Sequence, residues 1–513
     1  MVENVDEKSR LILAELNGKP KGCCQRHVLS VLGFLGFFMS YVLRVSFNVA
    51  LVAMVNKTQT ANTSHPSECP VDVHDNGTAD DSSPTGEFDW SPQTQGTILG
   101  AFYYGYMITQ IPGGIISERF GGKWPFGVGV LLTGILTLLT PVAARTDVSL
   151  LVVLRVLEGL GEGITIGAYY ALIGKWSPPL ERSFMVSLGF VGTEVGTVVA
   201  MPITGWLCEY GFDGGWPSAF YIFGSATCVW FLFWAVLVSS SPAEHPRISE
   251  EEKKYIIKMI GDSSKTKLAV PWKALLTSPT ILAFVMLHTS AMYLFYTILT
   301  DLPTYMSTIL HVDIGKNGVL SSLPALAFVI LGFTSGYIAD LILAKGYLRL
   351  VTVRKLCTAI GMFLPAAAII GAGYIGCNYI LGVALLTISA GLQAVALSGY
   401  YSNLVDIAPP FAGTISGIGN TFGTAAGIAA PAVVGALTNN NQTQEQWRII
   451  FLIAGFLSMV SSIPYLIFGT AERAPWSFER EENAPTKSGL TALALNTAKK
   501  KNNDEVRLQE NLS

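Results

Sequence analysis

Twelve apolar segments, each long enough to cross a lipid bilayer as a helix, limit what this chain can fold into. About 20 apolar residues span the hydrocarbon core of a bilayer. Of the 513 residues, 50% are hydrophobic and 13% are charged, whereas a soluble domain has about 25% charged residues. The segments lie near 27–55, 94–117, 123–144, 148–175, 183–208 and 217–240, and near 279–309, 317–342, 351–374, 378–404, 409–438 and 447–471. The sequence therefore predicts an all-α polytopic membrane protein with twelve transmembrane helices in two six-helix halves.

Polar stretches separate and flank the two sets of apolar segments. The central stretch contains Ser249-x-x-Glu252, a capping box that predicts a short surface helix. The C-terminal stretch is rich in Lys, Asn and Glu, a composition typical of disorder. The predicted regions are a cytosolic head at 1–26, a first half at 27–240 with a glycosylated luminal loop at 56–93, a cytosolic linker with a short helix at 241–278, a second half at 279–471, and a disordered cytosolic tail at 472–513.

Positive charges and glycosylation sequons together indicate the orientation in the membrane. Lys and Arg are concentrated in the head, in the linker and in the loop at 342–355, and cytosolic loops carry such an excess. The loop at 56–93 has one Lys and many acidic residues, and Asn-x-Ser/Thr sequons fall in this loop and in the last loop on the same side. Both termini are therefore predicted to be cytosolic. The predicted glycosylation sites are Asn56, Asn62, Asn76 and Asn441.

Short motifs recur at matching places in the two halves. Gly114-x-x-x-Glu118 follows the second segment, and Gly336-x-x-x-Asp340 ends the eighth. Gly192-Thr193-x-x-Gly196 in the fifth segment recurs as Gly423-Thr424-x-x-Gly427 in the eleventh. Such an internal repeat is typical of transporters whose two halves rock about a site at the bilayer midplane. The pattern is that of the major facilitator superfamily.

Five charged residues lie away from the ends of the apolar segments of the first half. Arg155, Glu158 and Glu162 follow the spacing i, i+3, i+7 and share one face of the fourth segment. With a rise of 1.5 Å per residue, Arg44 lies about 16 Å from the luminal end of the first segment, and Glu194 lies close in depth to Glu162. A charge at the bilayer centre costs at least about 2.5–3.5 kcal/mol, so such residues usually face a polar cavity. They are predicted to form one midplane site.

Each of these charges is assigned a separate role. Arg44 keeps its charge and offers a planar fork that suits a substrate carboxylate. Glu158 and Glu162 are one turn apart and do not readily stay ionised together, so one of them is predicted to carry a proton. Arg155 would hold the other ionised, and Glu194 is assigned to proton coupling with them. The alternative is that Arg155 and Glu158 form only a structural ion pair between helices.

Three uncharged or weakly basic residues are further candidates for substrate binding. His288 in the seventh segment is predicted to bind substrate or to relay a proton, and the alternative is a histidine that only makes structural hydrogen bonds. Asn403 in the tenth segment is predicted to hydrogen-bond a polyhydroxylated ligand, and the alternative is a hydrogen bond to another helix. Tyr104 belongs to an aromatic cluster at 102–106 that contacts substrate, or packs and forms part of the interfacial aromatic belt.

The combined motifs of the chain resemble the anion transporter family of the major facilitator superfamily over about residues 25–476. This family also holds the vesicular glutamate and sodium–phosphate carriers. The motifs are Tyr41-Val42-Leu43-Arg44-Val45, Gly105-Tyr106-x-Ile108-Thr109-Gln110-Ile111-Pro112-Gly113-Gly114, Glu158-Gly159-Leu160-Gly161-Glu162-Gly163, Pro178-Pro179-Leu180-Glu181-Arg182-Ser183 and Asp406-Ile407-Ala408-Pro409.

The resemblance implies a proton-coupled exporter of sialic acid and other acidic sugars from lysosomes, with uptake of aspartate or glutamate into vesicles as a further activity. By match of motif, Arg44, Glu158 and Glu162 take the substrate and proton-coupling roles, and His288 and Asn403 also match family positions. The chain departs from the family's sialic acid exporters elsewhere. Most notably, Tyr170 replaces a family histidine, and Glu194 is an acid where those exporters carry an uncharged residue.

Several function classes are excluded or disfavoured by the sequence. There is no nucleotide-binding loop, so a gradient must supply the energy for transport. The paired acids make protons the predicted coupling ion. No metal-spaced cluster of Cys and His is present either, and no other cofactor is expected. The net charge of -3 gives no basic surface for nucleic acid. No nucleophile and base are paired, so we do not expect an enzyme. The expected partners are a small organic anion and membrane lipid, and we expect a monomer.

The head carries a short sequence that bears on location. Glu7, Leu11 and Ile12 match an acidic-dileucine sorting signal, which predicts recognition by a sorting adaptor and a lysosomal membrane location. Synaptic or secretory vesicles and the plasma membrane are the alternative locations. The alternative function is a sodium- or voltage-driven carrier of phosphate or another organic anion within the same family.

Overall fold

The computed structural model describes residues 24–56, 86–260, 269–309, 314–438 and 443–477. These residues are mostly helical. The helices are α1 (Gln25–Met54), α2 (Pro92–Phe120), α3 (Lys123–Thr146), α4 (Val148–Gly163), α5 (Thr165–Trp176), α6 (Arg182–Tyr210), α7 (Trp216–Leu237), α8 (Glu250–Ile260), α9 (Trp272–Thr277), α10 (Pro279–Thr308), α11 (Ile314–Ala344), α12 (Leu350–Ala372), α13 (Tyr379–Gln393), α14 (Tyr400–Ile407), α15 (Ala412–Thr438) and α16 (Gln444–Phe468).

The predicted fold class is confirmed. Ten helical segments in the described part of the chain are long and apolar enough to cross a membrane, one of them containing both α13 and α14. The remaining two crossings are α2 and the split pair α4 and α5. The linker contains the short helix α8, whose first turn is capped by the Ser249 hydroxyl accepting from the Glu252 N–H at 3.2 Å. The sorting signal at Glu7, Leu11 and Ile12 lies outside the described residues.

The two halves meet along two pairs of helices. Helix α2 packs against α15, and α6 packs against α11. Within the first half α1 lies along α6 and α2 along α4, whereas within the second half α10 lies along α15. Gly114 of α2 allows the closest approach, because a Cβ atom there would collide with the carbonyl oxygen of Gly413 in α15. Small residues at such positions let transmembrane helices approach closely without a hydrophobic driving force between them.

Two of the crossings are interrupted, and they occupy corresponding places in the two halves. The fourth crossing breaks at Ile164, between α4 and α5. The tenth breaks between α13 and α14, where 394–397 form a 3₁₀ turn that Gly399 follows. Each break has a glycine beside it, Gly163 in the fourth crossing and Gly399 in the tenth, and glycine lowers helix propensity. Gly163 has no room for a Cβ against the Tyr106 carbonyl. Interrupted helices at matching places mark the substrate region in many transporters.

On the side opposite to the head, a short loop segment that contains Glu87 and Phe88 makes several contacts. Phe88 pairs with Val55 in a β-bridge, and Arg145 donates to Glu87 at 2.9 Å and to Asp213 at 2.9 Å. Cys377, on the same side, is disulfide-bonded, which agrees with an oxidising lumen there. Asn56 ends the first described range, and the other predicted glycosylation sites, Asn62, Asn76 and Asn441, lie outside the described residues.

At the head side, Arg26 holds α1 to the linker. Its side chain is fully buried and donates to Glu181 at 2.7 Å and to Glu252 at 3.1 Å. Glu252 also accepts from the backbone N–H groups of Gln25 and Arg26, so it caps the N-terminus of α1. The linker helix α8 is thereby anchored to the first half.

We predict that Arg26→Ala lowers the free energy of unfolding by about 3–5 kcal/mol, because it leaves the buried carboxylate of Glu252 without its cation. The measurement is denaturant-induced unfolding of purified protein in detergent. Arg145→Ala is the matched control, since Arg145 also pairs with two carboxylates but is 36% exposed. That change should cost at most about 1 kcal/mol. Equal losses for the two variants would contradict the prediction.

Candidate functional site

A cavity lies between the two halves beside both helix breaks. Eight of the described residues that line it are aromatic, and both halves contribute to it. Its non-aromatic polar lining consists of Thr193 and Glu194 from the first half and Gln393, Asn420 and Thr424 from the second. Thr193 and Thr424 are the paired members of the repeated Gly-Thr-x-x-Gly motif, so the repeat places equivalent residues on facing walls.

Arg44 and Glu162 form an ion pair behind the aromatic wall of this cavity. Both are buried, and one terminal nitrogen of Arg44 donates to Oε1 of Glu162. The guanidinium carbon lies 4.7 Å from the ring centre of Tyr41 and 4.8 Å from that of Tyr106, and both rings line the cavity. The Nε of Arg44 and the Oε2 of Glu162 are buried without a hydrogen-bond partner among the described residues. The pair therefore has an unused donor and an unused acceptor next to the cavity.

Arg155 and Glu158 form a second, closed pair. The Arg155 guanidinium donates to Glu158 at 2.6 Å, within the same helix. The other carboxylate oxygen of Glu158 accepts from Thr137 at 3.3 Å and from Thr140 at 3.4 Å. Neither Arg155 nor Glu158 lines the cavity. This geometry favours the alternative stated above, a structural ion pair, and the task of holding an acid ionised remains a prediction for Arg155.

Glu194 lines the cavity directly. It is 3% exposed and lies on α6, beside Thr193. Glu194 forms no ion pair with any described residue. The other acids of the region differ in this respect, because Glu162 pairs with Arg44 and Glu158 pairs with Arg155. Its proton-coupling role remains a prediction.

His288 lies in a layer behind the cavity wall. Its Nδ1 is 3.3 Å from the hydroxyl of Tyr400, and its Nε2 is 3.3 Å from the amide oxygen of Asn420. Tyr400 and Asn420 both line the cavity, whereas His288 does not. The structure therefore places His288 where it orients two lining residues.

Two of the predicted substrate contacts need correction. Tyr104 is 65% exposed and does not line the cavity, because the helix turns it to the outer surface. Tyr106, two residues on, faces the cavity in its place. Asn403 is buried away from the cavity, and its amide donates to the Tyr465 hydroxyl at 2.6 Å and to the Thr470 carbonyl at 3.0 Å. Asn403 thus joins α14 to the end of α16, which is the helix–helix alternative given for it.

Gln393 and Asn420 are lining residues that the sequence did not single out. Neutral amides in an apolar segment carry no charge signal, and neither belongs to a repeated motif. The only available hint was position, since Gln393 ends α13 at the helix break. Gln110 was quoted as part of a motif, and the structure shows that it donates to Thr424 of the opposite half at 2.8 Å.

Below the cavity, the end of the bundle that the charge bias assigns to the cytosol is closed by two acids. Glu118 of α2 accepts from the backbone N–H and the hydroxyl of Thr414, each at 2.6 Å, in the first turn of α15. Asp340 of α11 accepts from the backbone N–H groups of Ser183 at 3.2 Å and Phe184 at 2.7 Å, in the first turn of α6. Each acid caps the positive end of a helix in the other half. The repeated Gly-x-x-x-acid motif thus makes two equivalent contacts between the halves.

A buried charge cluster reinforces this closure. Asp406 accepts from Arg182 of the first half at 2.5 Å and from Arg354 of the second half at 2.6 Å. Arg354 also donates to the Ser183 hydroxyl at 2.7 Å. These contacts hold the two halves together at this end of the bundle.

The comparisons of this chain with known protein families, relatives and solved structures agree with one another. Residues 33–431 match the model of the Major Facilitator Superfamily. Sialin of Homo sapiens is 42% identical over 464 residues, covering 89% of this chain and 92% of sialin. A putative inorganic phosphate cotransporter of Drosophila melanogaster is 38% identical, covering 92% and 90%, and vesicular glutamate transporter 2 of Homo sapiens is 36% identical, covering 91% and 78%. The solved proton:xylose symporter XylE superposes with a TM-score of 0.63 at 14% identity, covering 86% and 94%, a likeness of fold.

We predict that Glu118→Gln opens the cytosolic end, because an uncharged cap binds the helix terminus more weakly. A loss of about 1 kcal/mol or more would raise the ratio of open to closed molecules about fivefold or more. The measurement is a spin-label distance between the exposed positions Trp124 and Tyr347, in a chain without other reactive cysteines. Asp340→Asn should have the same effect, and Arg119→Gln, an exposed neighbour, should have none. Unchanged distances in both cap variants would refute the prediction.

Proposed function

This chain belongs to the major facilitator superfamily, within the anion transporter family that contains sialin, and from this membership we propose that it is a proton-coupled symporter. The family relationship makes it a multi-pass membrane transporter of a small anion and not an enzyme. We propose that it exports sialic acid and other acidic sugars from the lysosomal lumen to the cytosol. The resemblance of its motifs to the sialic acid exporters supports this substrate class.

The observation that carries the proposal is the ion pair between Arg44 and Glu162. A guanidinium does not lose its proton in a protein, so Arg44 always needs an anion beside it. When Glu162 is ionised it supplies that anion. When an acidic lumen protonates Glu162, the pair is lost and Arg44 is available to a substrate carboxylate. Binding of the substrate and binding of the proton therefore favour each other.

Release follows from the same pair in reverse. After the cavity opens to the less acidic cytosol, Glu162 loses its proton and competes with the substrate carboxylate for Arg44. The rings of Tyr41 and Tyr106 border both the guanidinium and the cavity, so they must turn for the substrate to reach Arg44. Arg155 holds Glu158 in its own closed pair, which keeps that acid from competing for Arg44.

The energetics suit a lysosomal exporter. Each pH unit supplies about 1.4 kcal/mol per proton, a factor of about ten in concentration. A lumen about two units more acidic than the cytosol would drive roughly 100-fold export of an anion with one proton. A monoanion that moves with one proton carries no net charge, so the membrane potential should have little effect. We propose a lysosomal location on the same reasoning, with the sorting signal in the head as support.

We predict that Glu162→Gln abolishes the acceleration of uptake by acid, because an amide does not exchange protons in this pH range. Arg44→Lys should lower uptake about tenfold or more, because an ammonium lacks the planar fork. The measurement is uptake of labelled sialic acid, glucuronate, aspartate and phosphate into proteoliposomes of purified protein after a pH jump. Glu209→Gln, an exposed acid at the luminal end of α6, is the control and should behave as the unmodified protein.

Two results would contradict this proposal. One is a normal pH response in Glu162→Gln. The other is uptake that needs a sodium gradient or a membrane potential and is indifferent to pH, which would favour the sodium- or voltage-driven alternative. The same assay with each of the four anions identifies the preferred substrate.

A further inference from the structure

A second concave surface, separate from the central cavity, lies on the outside of the first half. It is a groove between α2 and α3, and the end of α4 together with Ile164 completes its lining. We propose that this groove binds an acyl chain of a phospholipid with an anionic headgroup, from the leaflet that the charge bias assigns to the cytosol. The inference goes beyond the proposed function, because it needs neither the substrate nor the coupled proton.

The first support is the apolar character of the groove. The hydroxyl of Thr109 already donates to the carbonyl oxygen of Leu160 at 2.9 Å, so this lining residue needs no polar ligand. Apolar side chains that are 40–52% exposed form much of the remaining lining, and on a membrane-spanning helix such side chains lie against lipid. They are Ile116, Trp124, Val128 and Leu132.

The second support is the length of the groove. Along α2 it runs from Thr109 to Phe120, a rise of about 16 Å at 1.5 Å per residue. Half of a hydrocarbon core about 30 Å thick is about 15 Å. Phe120 ends α2 at the cytosolic end of the bundle, so the groove extends from that interface to about the midplane. A phospholipid chain of the cytosolic leaflet covers the same depth.

The third support is the glycine contact inside the groove. Gly129 of α3 and Gly161 of α4 both line it, and a Cβ atom on Gly129 would lie 2.5 Å from the Gly161 carbonyl oxygen. The backbones of α3 and α4 therefore meet here without side chains between them. Larger side chains of α2 and α3 line the groove on either side, which leaves a depression that suits a narrow alkyl chain.

The fourth support is the positive charge at the cytosolic end of the groove. Arg119 and Lys123 lie next in sequence to the lining residues Phe120 and Trp124, and neither cation forms an ion pair with another described residue. The Lys123 ammonium lies 4.8 Å from the ring centre of Trp124. Anionic lipids are concentrated in the cytosolic leaflet, and each Lys or Arg near the surface strengthens their binding. These charges favour an anionic headgroup over a neutral lipid.

The position of the groove also connects the lipid to the broken fourth crossing. Ile164, the residue at the break, lines the groove, whereas Ile166 lines the central cavity. A lipid chain in the groove would therefore pack against a segment that borders the cavity two residues further on.

The test uses purified full-length protein in phosphatidylcholine vesicles that contain a trace of a photoreactive lipid. Two probes are compared, a phosphatidylserine and a phosphatidylcholine, each with the same photoreactive group near the end of one acyl chain. Labelling of peptides that contain 128–132 or 160–164 is measured relative to 232–236, an exposed stretch of α7 outside the groove. The phosphatidylserine probe should label the groove about tenfold or more strongly than the phosphatidylcholine probe, as expected for two basic residues near the surface.

A variant that fills the groove tests the place of the acyl chain. Val128→Trp should lower labelling of the 160–164 peptide to the level of the reference stretch, because the larger ring occupies the space of the chain. Ile135→Trp is the matched control, since Ile135 is 43% exposed and lies about two turns further along α3, outside the groove. It should label as the unmodified protein does.

A second pair of variants tests the choice of headgroup. Arg119→Gln combined with Lys123→Gln should bring the ratio of the two probes close to one. Lys345→Gln combined with Arg349→Gln removes two exposed positive charges from the same side of the membrane, away from the groove. This control should keep the preference for phosphatidylserine.

Three results would overturn the inference. Equal labelling of the groove by the two probes in the unmodified protein means that the charges select no headgroup. Stronger suppression of the labelling by cholesterol than by unlabelled phosphatidylserine means that a sterol occupies the groove. A dimer that Val128→Trp converts to monomers means that a second copy of the chain covers it. The comparison of probes needs only the unmodified protein, so it decides the question even if a variant fails to fold.

Discussion

A permanently charged guanidinium inside a membrane must always lie next to an anion, and in this protein that requirement falls on Arg44. The structure meets it with Glu162, on a different helix, behind the rings that wall the cavity. Because a carboxylic acid can give up this task when it binds a proton, the proposed function derives both the sign of the substrate and the coupling ion from this one contact. In the second pair both carboxylate oxygens of Glu158 are hydrogen-bonded, one to Arg155 and the other to two threonines, so this acid is held more firmly.

At the cytosolic end, the carboxylates of Glu118 and Asp340 also need partners, and helix N-termini supply them in place of arginines. Glu118 and Asp340 have no cation at hydrogen-bond distance among the described residues, and each lies against the N-terminus of a helix in the opposite half. Helix termini are weaker partners than arginines, but their N–H groups are readily taken over by water. Contacts of this kind can break and form again in every transport cycle. The Asp406 cluster adds a stronger but fully buried component.

The sequence was sufficient for the fold and for finding the buried charges of the first half, because a charge in an apolar segment is conspicuous and the repeat pairs the halves. It failed where the signal depends on which way a side chain points. Tyr104 was chosen from an aromatic cluster in which every face of the helix looks alike, and the structure selects Tyr106. Asn403 was read without its partner, Tyr465, which lies 62 residues away in sequence. Gln393 is a neutral amide, so nothing in the sequence distinguished it.

The contact between Gly114 and Gly413 gives the closed end a property that electrostatics does not. Backbone touches backbone there, with no side chain between the two helices. One added methyl group at position 114 would act as a wedge and hold the cytosolic ends apart, while leaving every charge in the molecule in place. Closure of this carrier is therefore a matter of shape as well as of charge, and a change of shape alone can bias it toward the inward-open state at any salt concentration.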